Sequence, residues 1–181
     1  LLQQASRQTE SHGKQLIVTD GHDTPEREQE AVQMLADRQC DAIILYTRYM
    51  SEKEIMSLMN SIAMPLLVIN RDVSQARDRA IFFEQEDAAY QAVNYLISQG
   101  HSDIACITVP GHTPTGKSRL MGYRKALEKN GTPWDPDKVK YGDSTMTRGY
   151  EACRELLEEG VKFSALFACN DDMALGASKA L

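Results

Sequence analysis

The sequence predicts an α/β protein made of two lobes with a cleft between them. Short apolar runs of strand length alternate with amphipathic stretches of about ten to fifteen residues, a pattern typical of βαβ units and parallel sheets. The alternation is interrupted once, by the charged and non-periodic stretch 72–79. Several apolar runs end at polar residues that begin a helix, and ligands of open parallel sheets bind at such strand ends. We therefore expect an N-terminal lobe over residues 1–72, a C-terminal lobe over residues 73–181 and a ligand site at the strand ends.

The first lobe is predicted to contain three strands, at residues 16–19, 42–45 and 66–69. An N-terminal polar helix precedes them and ends at Gly13, since glycine is favoured just beyond a helix. Thr24-Pro25 predicts the start of the next helix, because a hydroxyl can cap it and proline suits its first turn. Ser51 and Glu54 have the spacing of a capping box, which predicts the start of a third helix.

The second run of α/β elements is predicted to contain four strands, at residues 80–83, 104–109, 139–141 and 165–168. The helices between them are expected to end at Gly100, Asn130-Gly131 and Gly160, because these residues accept the backbone conformation that follows a helix. The acidic run 84–87 is interpreted as a solvated helix start, where the helix dipole favours negative charge. A helix comes first in the chain and the last helix is short, so we expect a piece of a longer chain, truncated at both ends.

The composition limits the class of protein. Hydrophobic residues make up 42% and charged residues 25% of the chain, as in ordinary globular proteins, and no apolar run reaches the length of a membrane span. The net charge is −6 and no basic cluster is present, so this chain carries no electrostatic footprint for nucleic acid of its own. The four cysteines are scattered along the chain, at Cys40, Cys106, Cys153 and Cys169. They are expected to be free thiols, which favours a cytoplasmic location. The histidines share no metal-ligand spacing either: His12, His22, His101 and His112.

Residues 111–118 match the phosphate-binding pattern G-x-x-x-x-G-K-[ST], and they follow a strand and begin a helix. In such a loop backbone N–H groups surround the phosphates, and Lys117 would reach their outer oxygens. Pro114 removes one of these N–H groups, and no hydrolytic constellation accompanies Asp171 and Asp172, which could be proposed as magnesium ligands. The chain is therefore interpreted as a binding module and not an enzyme. A nucleotide hydrolase that uses Lys117 is the less favoured alternative.

Four motifs spread along the chain resemble those of the LacI/GalR family of transcriptional repressors. The segment NDDMALG at 170–176 resembles the family's N-D-x-M-A-L-G signature, and PLLVINR at 65–71 resembles its P-x-V-x-[DN]-R step. The segment GHSDIA at 100–105 matches G-H-x-x-I-A, and RLMGY at 119–123 matches R-x-x-G-[YWF]. Within the family the sequence is most similar to the galactose and β-glucoside repressors.

The resemblance implies a periplasmic-binding-protein-like fold of type I, with two Rossmann-like lobes. It also implies a sugar- or glycoside-responsive repressor whose effector, a sugar or β-glucoside, binds in the interlobe cleft and alters operator binding. Operator DNA would be bound by a helix-turn-helix domain that is not in this chain, and by a homodimer because operators are palindromic, with a tetramer as the alternative. No cofactor, metal or membrane is implied. A secreted sugar-binding protein of the same fold is an alternative that the unpaired cysteines disfavour.

The resemblance also assigns ligand-binding roles to residues of this sequence. Asn170 is similar to the asparagine that bonds sugar hydroxyls, and Arg119 to the arginine that forks onto adjacent hydroxyls. Asn70, with Arg71 beside it, holds the place of the residue that closes the cleft from the first lobe, and Phe82 resembles an aromatic wall. Other positions that often line the pocket are Tyr46, Thr115 and Ser144.

The chemistry of these side chains agrees with the implied roles. Arginine presents a rigid fork of donors, asparagine both donates and accepts, and an aromatic ring packs on the apolar face of a pyranose. Each residue also has a purely structural alternative. Asn170 could cap a helix, Arg119 could form a surface salt bridge, Asn70 could cap a turn and Phe82 could belong to the core.

Overall fold

The computed structural model describes residues 2–21, 24–110 and 113–181. The chain forms two compact units, Leu1–Phe83 (unit 1) and Glu84–Leu181 (unit 2). The division falls later than the boundary predicted between residues 72 and 73, because a short strand after the charged stretch pairs with the sheet of unit 1. Each unit has its own three-stranded sheet and its own buried core.

Unit 1 is built on a parallel sheet. Its helices are α1 (Leu2–Ser11), α2 (Pro25–Asp37) and α3 (Glu52–Ser61), and its strands are β1 (Ile43–Tyr46), β2 (Leu66–Ile69) and β3 (Ala80–Ile81). The strands lie in the order β1-β2-β3, with Ile43 opposite Leu66 and Val68 opposite Ala80. The largest fully buried side chains of this unit include Met50, Ile55, Leu66, Val68 and Val73.

Local capping explains where the helices of unit 1 begin. The side chain of Thr24 accepts a hydrogen bond from the N–H of Arg27 at the start of α2, as predicted. Ser51 and Glu54 form the predicted capping box at the start of α3. The hydroxyl and the backbone N–H of Ser51 both donate to the carboxylate of Glu54. These bonds, the one from the hydroxyl most of all, lower the pKa of Glu54 below its ordinary value.

The strand predicted at residues 16–19 is wrong, since Leu16–Thr19 lies outside every helix and strand. These residues line a groove of about 440 Å³ together with residues of α2 and β1. A strand forms only where a neighbouring backbone completes its hydrogen bonds, and β1 pairs with β2 alone among the strands of the described ranges. Residue type favours a strand here, but no strand of the described ranges pairs with residues 16–19.

Unit 2 is also built on a parallel sheet. Its helices are α4 (Gln85–Ser98), α5 (Pro114–Lys129), α6 (Met146–Glu158) and α7 (Asp171–Ala180), and its strands are β4 (Ile104–Thr108), β5 (Val139–Tyr141) and β6 (Ala165–Ala168). The strands lie in the order β5-β4-β6, and all residues of the central strand β4 are buried. The predicted helix ends are confirmed by left-handed glycines at Gly100, Gly131 and Gly160.

Close helix packing in unit 2 depends on glycines inside the helices. A Cβ at Gly122 of α5 would lie 2.1 Å from the carbonyl oxygen of Glu86 in α4. A Cβ at Gly176 of α7 would lie 2.0 Å from the carbonyl oxygen of Met146 in α6. Such approaches leave no room for any side chain, so these glycines set the spacing of the α4–α5 and α6–α7 pairs. In the described part of the chain no helix is both long and apolar enough to cross a membrane.

Candidate ligand-binding site

A pocket of about 360 Å³ lies in unit 2 at the carboxyl end of β6. It brings together two of the residues singled out from the sequence, Arg119 of α5 and Asn170 at the start of α7. The other lining residues come from the first turns of α4 and α7 and from the end of β6: Gln85, Ala88, Ala89, Phe167, Ala168, Cys169 and Asp171. The pocket is therefore at the edge of the sheet where ligands of parallel α/β folds bind.

Asn170 is the N-cap of α7. Its Oδ1 accepts a hydrogen bond from the N–H of Met173 at 3.0 Å, so the structural role considered for this residue is present. Its Nδ2 donates to the carbonyl oxygen of Ser144 at 2.9 Å. Ser144 holds a left-handed backbone conformation, with φ of +77°, in the loop before α6. Asn170 thus ties two loops together at the rim of the pocket.

Arg119 is held by two neutral groups. Its Nε donates to Oε1 of Gln85 at 2.7 Å, and its Nη1 donates to the carbonyl oxygen of Cys169. Neither partner is a carboxylate, so the surface salt bridge considered for Arg119 is not what orients it. In the part of the chain that the structure describes, no carboxylate forms an ion pair with Arg119, and hydrogen bonds that a charged guanidinium donates to a ligand are stronger than those of a neutral donor.

The hydrogen-bonding capacity left at the pocket is mixed. Arg119 has donors only, whereas the amide of Asn170 retains one N–H and one lone pair beyond its bonds to Met173 and Ser144. Asp171 adds a carboxylate, which can only accept when ionised. Neighbouring donors and acceptors of this kind match a ligand that carries several hydroxyl groups. A polyol satisfies both, because each hydroxyl donates once and accepts twice.

Thr115 and Ser144, the other two candidates in unit 2, differ in how they relate to the pocket. Thr115 is half-buried in the first turn of α5 and does not line the pocket in unit 2. Ser144 is also half-buried and reaches the site through its backbone carbonyl, which accepts from Asn170. The contributions of the Thr115 and Ser144 side chains to ligand binding stay predictions.

The candidates of unit 1 lie at the carboxyl ends of neighbouring strands. Tyr46 is the last residue of β1, is 53% exposed and pairs in register with Ile69. Asn70 follows Ile69 and has a left-handed backbone with φ of +74°. Its N–H donates to the carbonyl oxygen of Ile81 at 2.8 Å, which joins the ends of β2 and β3. Tyr46 and Asn70 therefore lie at one edge of the unit 1 sheet.

Arg71 belongs to a buried polar network that also contains Glu28. The Arg71 guanidinium donates to the carbonyl oxygen of Met50, and Glu28 accepts from the hydroxyl of Thr47 at 2.6 Å and from the N–H of Arg48 at 2.8 Å. Burial lowers the pKa of Arg71, and the carboxylate of Glu28 opposes this effect. The network fixes the loop after β1, so Arg71 has a structural role beside its predicted ligand contact.

Phe82 packs against the guanidinium of Arg77, whose Cζ lies 5.9 Å from the ring centroid. The next residue, Phe83, is 63% exposed and was not singled out from the sequence. An exposed aromatic ring two residues beyond a strand is available to pack on the apolar face of a sugar ring. Successive side chains of an extended segment point in opposite directions, and this alternation is the signal that could have singled out Phe83 beside Phe82.

Gly111 and His112 of the phosphate-loop pattern lie outside the described residues, as does His22. The remaining glycine of the pattern, Gly116, has a packing explanation, because a Cβ there would lie 2.3 Å from Cγ2 of Val109. Lys117 is exposed. Within the ranges that the structure covers, no group of three or more histidine, cysteine, aspartate or glutamate side chains is placed to hold a metal ion.

Comparison with known proteins identifies the family. A family model described as "Periplasmic binding proteins and sugar binding domain of LacI family" matches residues 1–181. The HTH-type transcriptional regulator AscG of Escherichia coli (strain K12) is 39% identical over 181 residues, which are 100% of this chain and 54% of that protein. The relatives named in this comparison are transcriptional regulators and not enzymes.

Solved structures show the same fold. The crystal structure of the Escherichia coli transcriptional repressor ascG has a TM-score of 0.87 and 38% identity, over 99% of this chain and 66% of that one. A complex of the transcriptional regulator CelR with cellobiose has a TM-score of 0.78 and 28% identity, over 95% of this chain and 53% of that one. The chain spans about half the length of the curated relatives that it matches. The chain therefore contains part of a type I periplasmic-binding-protein fold of the α/β class, and it belongs to the family of periplasmic binding proteins and sugar-binding domains of LacI-type regulators.

Proposed function

We propose that this chain is the effector-binding core of a sugar- or glycoside-responsive transcriptional repressor. The observation that carries the proposal is the pocket in unit 2, where Arg119 and Asn170 present donors and acceptors suited to neighbouring hydroxyls. The family supports a sugar as the ligand class, and cellobiose is the molecule bound by the related CelR. A β-glucoside or a simple hexose is therefore the ligand class to test first.

In this proposal a domain outside residues 1–181 binds operator DNA, and the protein acts as a homodimer. Effector binding changes the operator affinity by a coupling free energy, typically about 1–3 kcal/mol, and operator binding changes the effector affinity by the same factor. Tyr46, Asn70, Arg71 and Phe82 are proposed as further ligand contacts from unit 1, and Thr115 and Ser144 as further contacts from unit 2. The same binding measurements on single variants test each of them.

The test is calorimetry on the full-length protein with cellobiose and with galactose. Arg119→Ala should weaken binding of the active sugar by about a hundredfold, since it removes hydrogen bonds from a charged donor. Lys117→Ala is the matched control, because it removes a cation from the same helix at an exposed position outside the pocket. It should leave the affinity unchanged.

Two outcomes would contradict the proposed function. The first is a wild-type protein that binds no sugar in a panel of hexoses and β-glucosides. The second is ATP hydrolysis by the wild-type protein that Lys117→Ala abolishes, which would support the phosphate-loop alternative. Unchanged sugar affinity in Arg119→Ala would instead place the ligand away from Arg119.

A further inference from the structure

We propose that Gln85 is a positioning residue that orients Arg119 toward the ligand. The proposal rests on the function proposed above, because it takes the ligand of Arg119 to be the effector. Gln85 is the first residue of α4 and lines the same pocket as Arg119, although the two residues are far apart in sequence. No motif of the sequence pointed to it.

The hydrogen bond between these side chains fixes the direction of both. Arg119 Nε donates to Gln85 Oε1 at 2.7 Å. A guanidinium has no acceptor, so the amide atom that faces it has to be the carbonyl oxygen. The NH₂ group of Gln85 is thereby turned away from Arg119, and the guanidinium cannot rotate without losing this bond.

A second contact completes the orientation. Nη1 of Arg119 donates to the carbonyl oxygen of Cys169, which directly precedes the N-cap Asn170. Two anchors on a planar group fix its plane as well as its direction. Of the five N–H groups of a guanidinium, two are then engaged, and three remain, both on Nη2 and one on Nη1. Nη2 has no acceptor within hydrogen-bonding distance in the described part of the chain, so it is the group left for a ligand.

The packing of α4 against α5 holds Gln85 in place. The missing Cβ of Gly122 lets the carbonyl of Glu86, next to Gln85, approach the backbone of α5. Lys125 of α5 forms an ion pair with Glu86 at 2.7 Å. The first turn of α4 is therefore fixed to the helix that carries Arg119, and the Gln85 carbonyl is a preorganised acceptor. Preorganisation of this kind raises affinity, because the ordering of the binding group does not have to occur on ligand binding.

The first test needs no ligand. In ¹H–¹⁵N NMR spectra of the full-length protein, the Nε–H signal of Arg119, assigned by its loss in Arg119→Lys, should exchange slowly with water. Gln85→Met keeps the side-chain length but removes the acceptor, and it should make this exchange fast. Gln85→Glu restores an acceptor and should restore slow exchange. Slow exchange in Gln85→Met would overturn the proposal, and backbone signals of Gln85→Met that match those of wild type show that fast exchange is local and does not come from unfolding.

The second test measures affinity for cellobiose or galactose, whichever the wild-type protein binds. Gln85→Met should weaken binding about tenfold, Gln85→Glu should bind more tightly than Gln85→Met because it restores the acceptor, and the Met change should have no effect in an Arg119→Lys background. Equal effects of Gln85→Met in both backgrounds would overturn the positioning role. Slow Nε–H exchange that depends on Gln85, in a protein that binds no sugar, would leave the orientation of Arg119 standing and refute the proposed function instead.

Discussion

Substitution of Asn170 separates the structural role of this residue from its proposed ligand contact. Asn170→Ala removes the N-cap bond to Met173, which costs about 1 kcal/mol, and the bond to the Ser144 carbonyl, which costs about another 1 kcal/mol. Asn170→Ser keeps an N-cap oxygen and removes only the bond to Ser144. We therefore expect the free energy of unfolding to fall by about 2 kcal/mol in the alanine variant and by about 1 kcal/mol in the serine variant.

Sugar affinity should follow a different pattern, because both variants lose the amide that is proposed to contact the ligand. We expect both to bind at least about tenfold more weakly than wild type and equally weakly as each other. Urea unfolding can be followed through Trp134, the only tryptophan in these 181 residues and part of unit 2. Equal stability of the serine and alanine variants would refute the capping argument, and unchanged affinity in both would refute the ligand contact.

Three further predictions concern stability. Gly176→Ala should lower the free energy of unfolding by about 2 kcal/mol. Overpacking against α6 costs about 3 kcal/mol, and the higher helix propensity of alanine recovers about 1 kcal/mol. The control Ser178→Ala, at an exposed position of the same helix, should not lower the free energy of unfolding. Tyr123→Phe removes a buried 2.8 Å hydrogen bond to a carbonyl of β4 and should cost about 1 kcal/mol in urea unfolding, and an unchanged midpoint would contradict this. Since the pKa of Glu54 is lowered in the folded state, its capping box stabilises α3 above the ordinary carboxyl pKa and loses effect as the pH falls through the lowered value. Ser51→Ala should raise the NMR titration midpoint of Glu54, and no change would contradict the capping assignment.

Most elements of the fold could be predicted because their signals are local. Thr24 caps α2 and Ser51 caps α3 through hydrogen bonds to residues three positions away, so the sequence contains both partners. The apolar run at residues 165–168 forms a strand because it pairs with β4. The similar run at residues 16–19 does not form one, since its outcome depends on a paired neighbour that the described residues do not supply.

The candidate site was only partly predictable for a related reason. Arg119 and Asn170 were identified through motifs of a family, and the strand-end rule places Asn170 at the correct edge of the sheet. Gln85 was missed because its role depends on the packing of α4 against α5, which the glycine at 122 permits. Phe83 was missed because neighbouring aromatic residues at 82 and 83 cannot be told apart without the direction of each side chain.

A structural role and a proposed ligand-binding role are compatible in the residues of the site. Asn170 caps α7 and Arg119 bonds to Gln85 and Cys169, yet an amide and a guanidinium each have more hydrogen-bonding groups than these contacts use. The internal bonds fix each side chain in one orientation and leave the unused groups for the proposed ligand. A residue that served only the fold would bury its remaining polar atoms or leave them to bulk water, whereas both of these residues line one pocket. The same bonds that stabilise unit 2 therefore prepare the proposed ligand contacts.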